Sequence, residues 1–283
     1  TEDLPHNVSH CSRCDTIIEP LYSKQWFLKT GELAKKTHRK LSVDRMLGKE
    51  IKFYPNRWLP ISLAWLEKIK DWNISRQLWW GHPIPDSEDV LDTWFSSALW
   101  PFAVLGWPDE SNSDFKDYYP VQFMTSGRDI LFLWITRMIF SGLELTNKYP
   151  FKEVYIHATV LTKDGQRMSK SKEIGVDPLD LIEKYGADAL RFGLAYQTTD
   201  LQDMRFNEDV ILMGKKFANK IWNGSRFLMM NLESEKEYEL NLPSKTDTID
   251  KEFVAELKKL VISTSENIER FKFGQAASDL YHF

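Results

Sequence analysis

Val154-Tyr155-Ile156-His157-Ala158-Thr159-Val160, followed by the polar loop Lys163 to Gly175 and then Asp177-Pro178, is the stretch that decides the fold. Its β-branched and aromatic residues predict a strand over 154–160. Asp177 opens a helix: a carboxylate there accepts from first-turn amides, and the fixed φ of Pro178 suits the first helical position. That helix is predicted to run to about Ala195, interrupted near Gly186. Upstream, Val121-Gln122-Phe123-Met124-Thr125 predicts another strand, ending at Ser126-Gly127. Asp129 to Leu145 follows as a long, largely buried helix. Strand, helix, strand, loop, helix is the order of a parallel sheet joined by crossovers. Ligands bind such sheets at the carboxyl ends of the strands, where the turn at Gly127 and the loop after Val160 both lie.

Three parts are expected around this core. Residues 1–85 are mixed, punctuated by proline, with short helices predicted at Leu33 to Lys40 and Trp58 to Ile69. Residues 86–205 carry the alternating strands and helices. Residues 206–283 read as helical, with one helix from Asp209 to Leu232, a polar connector from Glu233 to Thr248, and a second helix from Ile249 to Phe283. The 11 Trp support a division, because ten lie between Trp26 and Trp134 and only Trp222 lies beyond. The chain has 283 residues, 42% hydrophobic and 28% charged, with a net charge of −4, which excludes both a disordered tail and a generally cationic nucleic-acid coat. No apolar run approaches the ~18 residues of a membrane span. Two cysteines, Cys11 and Cys14, form no disulfide framework, so a reducing cytoplasm is expected. The missing initiator Met and an apolar face that stops at Phe283 suggest a piece of a longer protein.

The chemistry concentrates in Asp164-Gly165-Gln166-Arg167-Met168-Ser169-Lys170-Ser171-Lys172. Three cations within six residues, interleaved with hydroxyls on a glycine-containing loop, are suited to neutralising a leaving polyphosphate. A solvated surface loop has the same composition, so charge alone leaves both readings open.

Arg167-Met168-Ser169-Lys170-Ser171 resembles the Lys-Met-Ser-Lys-Ser signature of class I aminoacyl-tRNA synthetases, with Arg for the first Lys. Four further segments agree in order: Asp71 to His82, Asp89 to Ser97, Gly127-Arg128-Asp129 followed by Trp134, and His157-Ala158. Trp79-Trp80-Gly81-His82, Leu99-Trp100-Pro101-Phe102 and Leu105-Gly106-Trp107-Pro108 are most similar to the valine-specific members. The fold implied is α/β: the second half of a Rossmann-like parallel-sheet catalytic domain, followed by an α-helical region that begins the anticodon-binding domain. Residues 1–85 would be the return from an editing insertion.

The resemblance implies a valine–tRNA ligase, in which ATP with Mg²⁺ activates valine to valyl-adenylate and the valyl group passes to tRNA(Val). Lys170 and Arg167 would stabilise charge on the phosphates. Gly127, Asp129, His157, Ala158, Met168, Ser169 and Ser171 would join Lys170 around ATP. Trp94, Ile130 and Trp134 are the candidate walls of the valine pocket; Ile130 and Trp134, four apart, would share one helical face. Core packing is the competing explanation for all three. Lys215, Lys216 and Lys220, or Lys35-Lys36 with Arg39-Lys40, could touch tRNA phosphates, or could be ordinary solvated faces. The companion His-Ile-Gly-His signature is absent, so the expected partner is the missing N-terminal part of the same synthetase, without which this chain should be inactive. Glu173-Ile174-Gly175 departs from the family pattern after the signature. The Cys11/Cys14 pair is half a tetrahedral zinc site at most, with His6 or His10 nearby, and zinc is not expected. The alternatives are isoleucyl- or leucyl-tRNA synthetases, or a non-catalytic tRNA-binding paralogue.

Overall fold

The structure is a computed structural model that describes residues 7–11, 14–49, 51–169, 174–199, 203–232 and 247–283. The strands are β1 (Phe27–Leu28), β2 (Lys52–Tyr54), β3 (Trp72–Asn73), β4 (Ser75–Arg76), β5 (Val90–Leu91), β6 (Val121–Gly127), β7 (Phe151–His157), β8 (Thr159–Leu161) and β9 (Asp203–Arg205). The α-helices are α1 (Gly31–Met46), α2 (Trp58–Lys68), α3 (Thr93–Ala103), α4 (Ser113–Tyr118), α5 (Thr136–Leu145), α6 (Pro178–Tyr185), α7 (Ala187–Gln197), α8 (Glu208–Met230), α9 (Thr248–Glu269) and α10 (Phe273–His282).

The central sheet is parallel, in the order β2-β7-β6, with Tyr54 opposite Tyr155 and Gly127 opposite His157. The strand expected over 154–160 is instead two strands with different partners. β7 is flanked on both edges by β2 and β6 and ends at His157. The chain then turns at Ala158, and β8 pairs in parallel with β9. The single helix expected over 129–145 is also composite: a 3₁₀ turn at Arg128–Ile130, a π-helical turn at Leu131–Ile135, and only then α5. The break at Gly186 is present, and its φ of +96° is a conformation that favours glycine.

One core unites α1, β2, α2, β3, α5 and β7, through residues such as Leu41, Phe53, Leu59, Ile139 and Val154. The boundary expected at residue 85 therefore does not separate two cores. Nor does the one at 205: Ile211 of α8 is buried with Leu181 of α6 and Leu190 of α7. The helix expected over 249–283 breaks at residues 270–272. There Phe271 adopts a left-handed φ of +57°, its N–H bonds to the Ile268 carbonyl, and the Lys272 N–H bonds to the Asn267 carbonyl. Those two bonds make the usual left-handed close of a helix, at a position glycine normally fills. The Phe271 ring lies against Tyr54, Phe123 and Tyr155, one residue from each strand of the central sheet. Aromatic packing thus offsets the roughly 1 kcal/mol of left-handed strain and fixes the helical region to the sheet.

Candidate active site

β6 and β7 run side by side, so their register places Gly127 next to His157 at the carboxyl edge of the sheet. Gly127 is extended, at φ −77°, and a Cβ there would meet the His157 ring at an ordinary 3.5 Å. The folded chain itself does not demand glycine here; closer approach by a bound molecule would. His157 is exposed, with Nδ1 3.0 Å from the carbonyl oxygen of Ala158. Asp129 follows in the 3₁₀ turn and is also exposed.

The signature loop comes back to this edge. It turns tightly at Asp164-Gly165, where the Gly165 N–H bonds to the Thr162 carbonyl and Gly165 takes a φ of +83°. The Arg167 guanidinium then donates to the Asp129 carboxylate across 38 residues of sequence. Sequence reasoning placed both residues at the nucleotide, but not on each other. Ser169 and Ile174 exchange backbone hydrogen bonds of 2.7 and 3.1 Å and bracket the tip of the loop. Met168 packs near Gly175. Lys170 and Ser171, the central residues of the signature, and Glu173 lie outside the described residues. A second ion pair, Arg128 with Asp203 at 2.9 Å, ties the same 3₁₀ turn to β9.

Trp94 and Trp134 both lie half-buried at the rim of the main core. Trp134 Nε1 donates to the Ser97 carbonyl at 3.0 Å, linking the π-helical turn to α3, which also carries Trp94. The argument that Ile130 and Trp134 share an α-helical face does not hold, because the four-residue spacing crosses from a 3₁₀ turn into a π turn. Such turns inside helices recur at functional sites because they re-aim side chains.

Beneath these residues lies a charge network the sequence reading missed. Asp92 is 5% exposed, accepts from Trp72 Nε1 at 2.9 Å, and stands 3.3 Å from Arg76 and 3.5 Å from Arg137. The Arg137 guanidinium lies 3.6 Å from the centre of the Trp72 ring. Burial lowers the Arg137 pKa from its ordinary value, and the Asp92 charge opposes that shift. The available signal was a lone arginine inside an otherwise apolar helical run.

The three candidate tRNA lysines part company. Lys215 donates to the Lys184 carbonyl at 3.1 Å and so closes the end of α6, whereas Lys216 and Lys220 are exposed. The Cys11 N–H bonds to the Thr16 carbonyl at 2.9 Å, and the Cys14 thiol to the Thr16 hydroxyl at 3.3 Å. That bond to the Thr16 side chain, with backbone help, lowers the Cys14 pKa. His10 contacts Asp15, and His6 lies outside the described residues. Among the described residues no group of three or more His, Cys, Asp or Glu stands ready to hold a metal. Nor, among them, is any helix long and apolar enough to cross a membrane.

Comparison with known proteins bears on this geometry. Residues 14–87 and 86–207 match the family described as tRNA synthetases class I (I, L, M and V). The valine–tRNA ligase of Thermotoga maritima is 44% identical over 311 aligned residues, covering 100% of this chain and 35% of that protein. The valine–tRNA ligase of Bacillus cereus is 42% identical over 302 residues, covering 98% of this chain and 34% of that protein. This chain therefore spans about a third of the length of the curated relatives it matches. Among solved structures, Mycobacterium tuberculosis methionyl-tRNA synthetase in complex with methionyl-adenylate superposes with a TM-score of 0.75 at 18% identity, covering 97% of this chain and 53% of that one. That likeness speaks to the fold alone.

Proposed function

The chain belongs to the class I tRNA synthetases, and from that premise we propose that it forms the later catalytic part of a valine–tRNA ligase. The observation that carries the reading is the meeting, at one sheet edge, of Gly127 at the end of β6 with Asp129 beyond it, His157 at the end of β7 with Ala158 beyond it, and Arg167 from the signature loop.

In the reaction proposed, a valine carboxylate oxygen attacks the α-phosphorus of ATP. The bond from that phosphorus to the β-phosphate oxygen breaks, giving valyl-adenylate and pyrophosphate. A terminal ribose hydroxyl of tRNA(Val) then attacks the adenylate carbonyl, its proton passing to the departing phosphate, and AMP leaves with the electrons of the broken carbonyl–oxygen bond. The carboxylate is already a nucleophile, so the first step rests on positioning and charge stabilisation rather than on a general base. Arg167 and Lys170 would face the departing phosphates. For Arg167 this requires exchanging its Asp129 partner for phosphate, which frees the Asp129 carboxylate to accept from ribose hydroxyls or the substrate amine. Ser169, Ser171 and Met168 would shape the loop. Gly127 and Ala158 would admit the nucleotide closely, with His157 beside it.

Of the carboxylates at this edge, Asp203 is held by Arg128, and Asp129, once Arg167 turns to phosphate, would be engaged by ribose hydroxyls or the substrate amine. Mg²⁺ would therefore arrive on the ATP phosphates, as is usual for this ion, and would neutralise their charge. No zinc is invoked.

Valine would pack against Trp94, Ile130 and Trp134. An apolar pocket separates substrates by about 1–3 kcal/mol per methylene and rejects a hydroxyl-bearing isostere poorly, so threonine would also be activated. Lys216 and Lys220 remain available to tRNA phosphates. Among the described residues β6 pairs only with β7, leaving its other edge for a strand from the upstream part of the enzyme, which would supply the missing signature. The chain alone would then be inactive, and the whole enzyme cytoplasmic.

Amino-acid-dependent ATP–pyrophosphate exchange tests the reading, with this chain and with the longer protein that contains it. Exchange with valine by the longer protein only is expected. Isoleucine preference would overturn the specificity, and robust exchange by this chain alone would overturn the incompleteness.

A further inference from the structure

The amino ends of the same strands carry a second feature. A cleft of about 650 Å³ opens there, between the start of β2, the start of β6 and the turn that leads into β7. Five lysines line it: Lys40, Lys49, Lys52, Lys148 and Lys152. Two carboxylates oppose them. Glu153 lies 3.7 Å from Lys52, and Asp44 lies 2.9 Å from Lys40. Five positive charges against two negative leave +3 among the described residues of this cleft, in a chain whose net charge is −4.

Each of the two carboxylates forms an ion pair with one lysine of the cleft, and Asp44 also feels the charge of Lys49. Asp44 is buried, and burial pushes its pKa up, but hydrogen bonds from Tyr149 and Lys40 outweigh that and hold it below the usual value. Lys49 and Lys152 are exposed and make no ion pair with a described residue. Like charges so gathered repel, and an anion between them would relieve the repulsion. The floor is apolar, formed by the fully buried Ile51 and Phe151. Low-dielectric walls beneath a lining with a net positive charge concentrate the field in the cleft. Its volume is that of a small-ligand site, and lysine is a common phosphate partner.

We propose that this cleft is a second anion site, which takes a ligand with two or more adjacent phosphates. It is not the nucleotide edge. β7 has seven residues, so its two ends stand about 20 Å apart. The inference does not depend on the proposed ligase function. The phosphates could belong to a free polyphosphate or to a stretch of RNA backbone.

The test is titration of this chain with inorganic tripolyphosphate, and separately with a short single-stranded RNA, followed by backbone amide NMR at physiological ionic strength. Shifts are expected at residues 49, 51–53 and 148–153. Lys49→Gln combined with Lys152→Gln, both exposed and remote from the nucleotide edge, should weaken the binding that causes them by about tenfold or more. Arg167→Gln should leave them unchanged, which separates this cleft from the signature loop. Saturation by tripolyphosphate at lower concentration than by RNA phosphates identifies a free polyphosphate as the source, and the reverse identifies RNA. If neither probe shifts these amides, or if the double variant binds as tightly as the parent, the proposal is overturned.

Discussion

Replacing Asp92 by Ala should destabilise the protein more than any other single polar truncation in its core. The carboxylate is 5% exposed, accepts from the Trp72 indole and is ion-paired with both Arg76 and Arg137. Arg76 is half-exposed and can turn to water. Arg137 cannot, because its side chain is 12% exposed and its guanidinium is stacked on Trp72. Asp92→Ala would therefore strand a buried cation and a buried indole N–H. Breaking one side of a buried pair costs about 3–5 kcal/mol, which is a large share of a domain's usual 5–15 kcal/mol. Asp92→Asn keeps an acceptor for the indole and loses only the charge, so a smaller loss of about 1.5–3 kcal/mol is expected. In an Arg137→Met background no cation is left to strand, and Asp92→Ala should then cost at least about 1 kcal/mol less than in the parent. Urea unfolding followed by circular dichroism gives each difference, and tryptophan quenching by acrylamide reports whether Trp94 and Trp134 loosen with α3. A loss below about 1 kcal/mol for Asp92→Ala, or strict additivity with Arg137→Met, would refute the account of this network as a mutually dependent buried cluster.

Other expectations follow from single contacts. At Phe271, glycine should be less destabilising than alanine by about 1 kcal/mol in chemical denaturation, since both lose the aromatic contacts but only alanine keeps the left-handed strain; equal losses would contradict that conformation. A Cβ on Gly274 would lie 2.0 Å from the Thr198 carbonyl oxygen, so Gly274→Ala should push α10 off α7, cost about 1–3 kcal/mol or more, and speed amide exchange along α10. Burial pushes the Tyr119 phenol up to about 12, against a bond with Thr146 that lowers it. Its folded pKa exceeds the unfolded value near 10, so its contribution is whole below pH 10 and is lost as pH rises through 12. A fall in stability of about 2–3 kcal/mol is expected across that window, read by denaturation at each pH. In the longer protein, Arg167→Ala should lower the rate of valine-dependent exchange by roughly 10²-fold with a smaller change in KM for ATP, as expected of a group acting on developing charge; an effect confined to KM would assign it to ground-state binding.

The sequence by itself determined the elements whose evidence is local. The β-branched run that begins at Val154 and the run that leads to Gly127 contain strands because their side chains suit a pleated, half-buried surface. Asp177 with Pro178 starts α6, and the Asp177 side chain does accept the Leu179 N–H at 2.8 Å. The parallel order, and the placing of the turn at Gly127 and the loop after Val160 at one sheet edge, followed from that alternation, whereas Asp129 and His157 were expected there from the family resemblance. Tertiary structure decided whatever depends on a distant partner. Lys52–Tyr54 is only three residues long and carries no signal of its own; it is a strand because β7 offers it an edge. β7 ends at His157 rather than Val160 because Thr159–Leu161 finds a different partner in Asp203–Arg205. Phe271 sits where glycine would be read, because three strands present aromatic rings to it. Asp129 with Arg167, 38 residues apart, and Asp92 with Arg137, 45 apart, are pairs that no short-range pattern encodes. Hydrogen bonding and side-chain periodicity act over a few residues and can be read along the chain, whereas desolvation and charge pairing act through space and are settled only when the core closes.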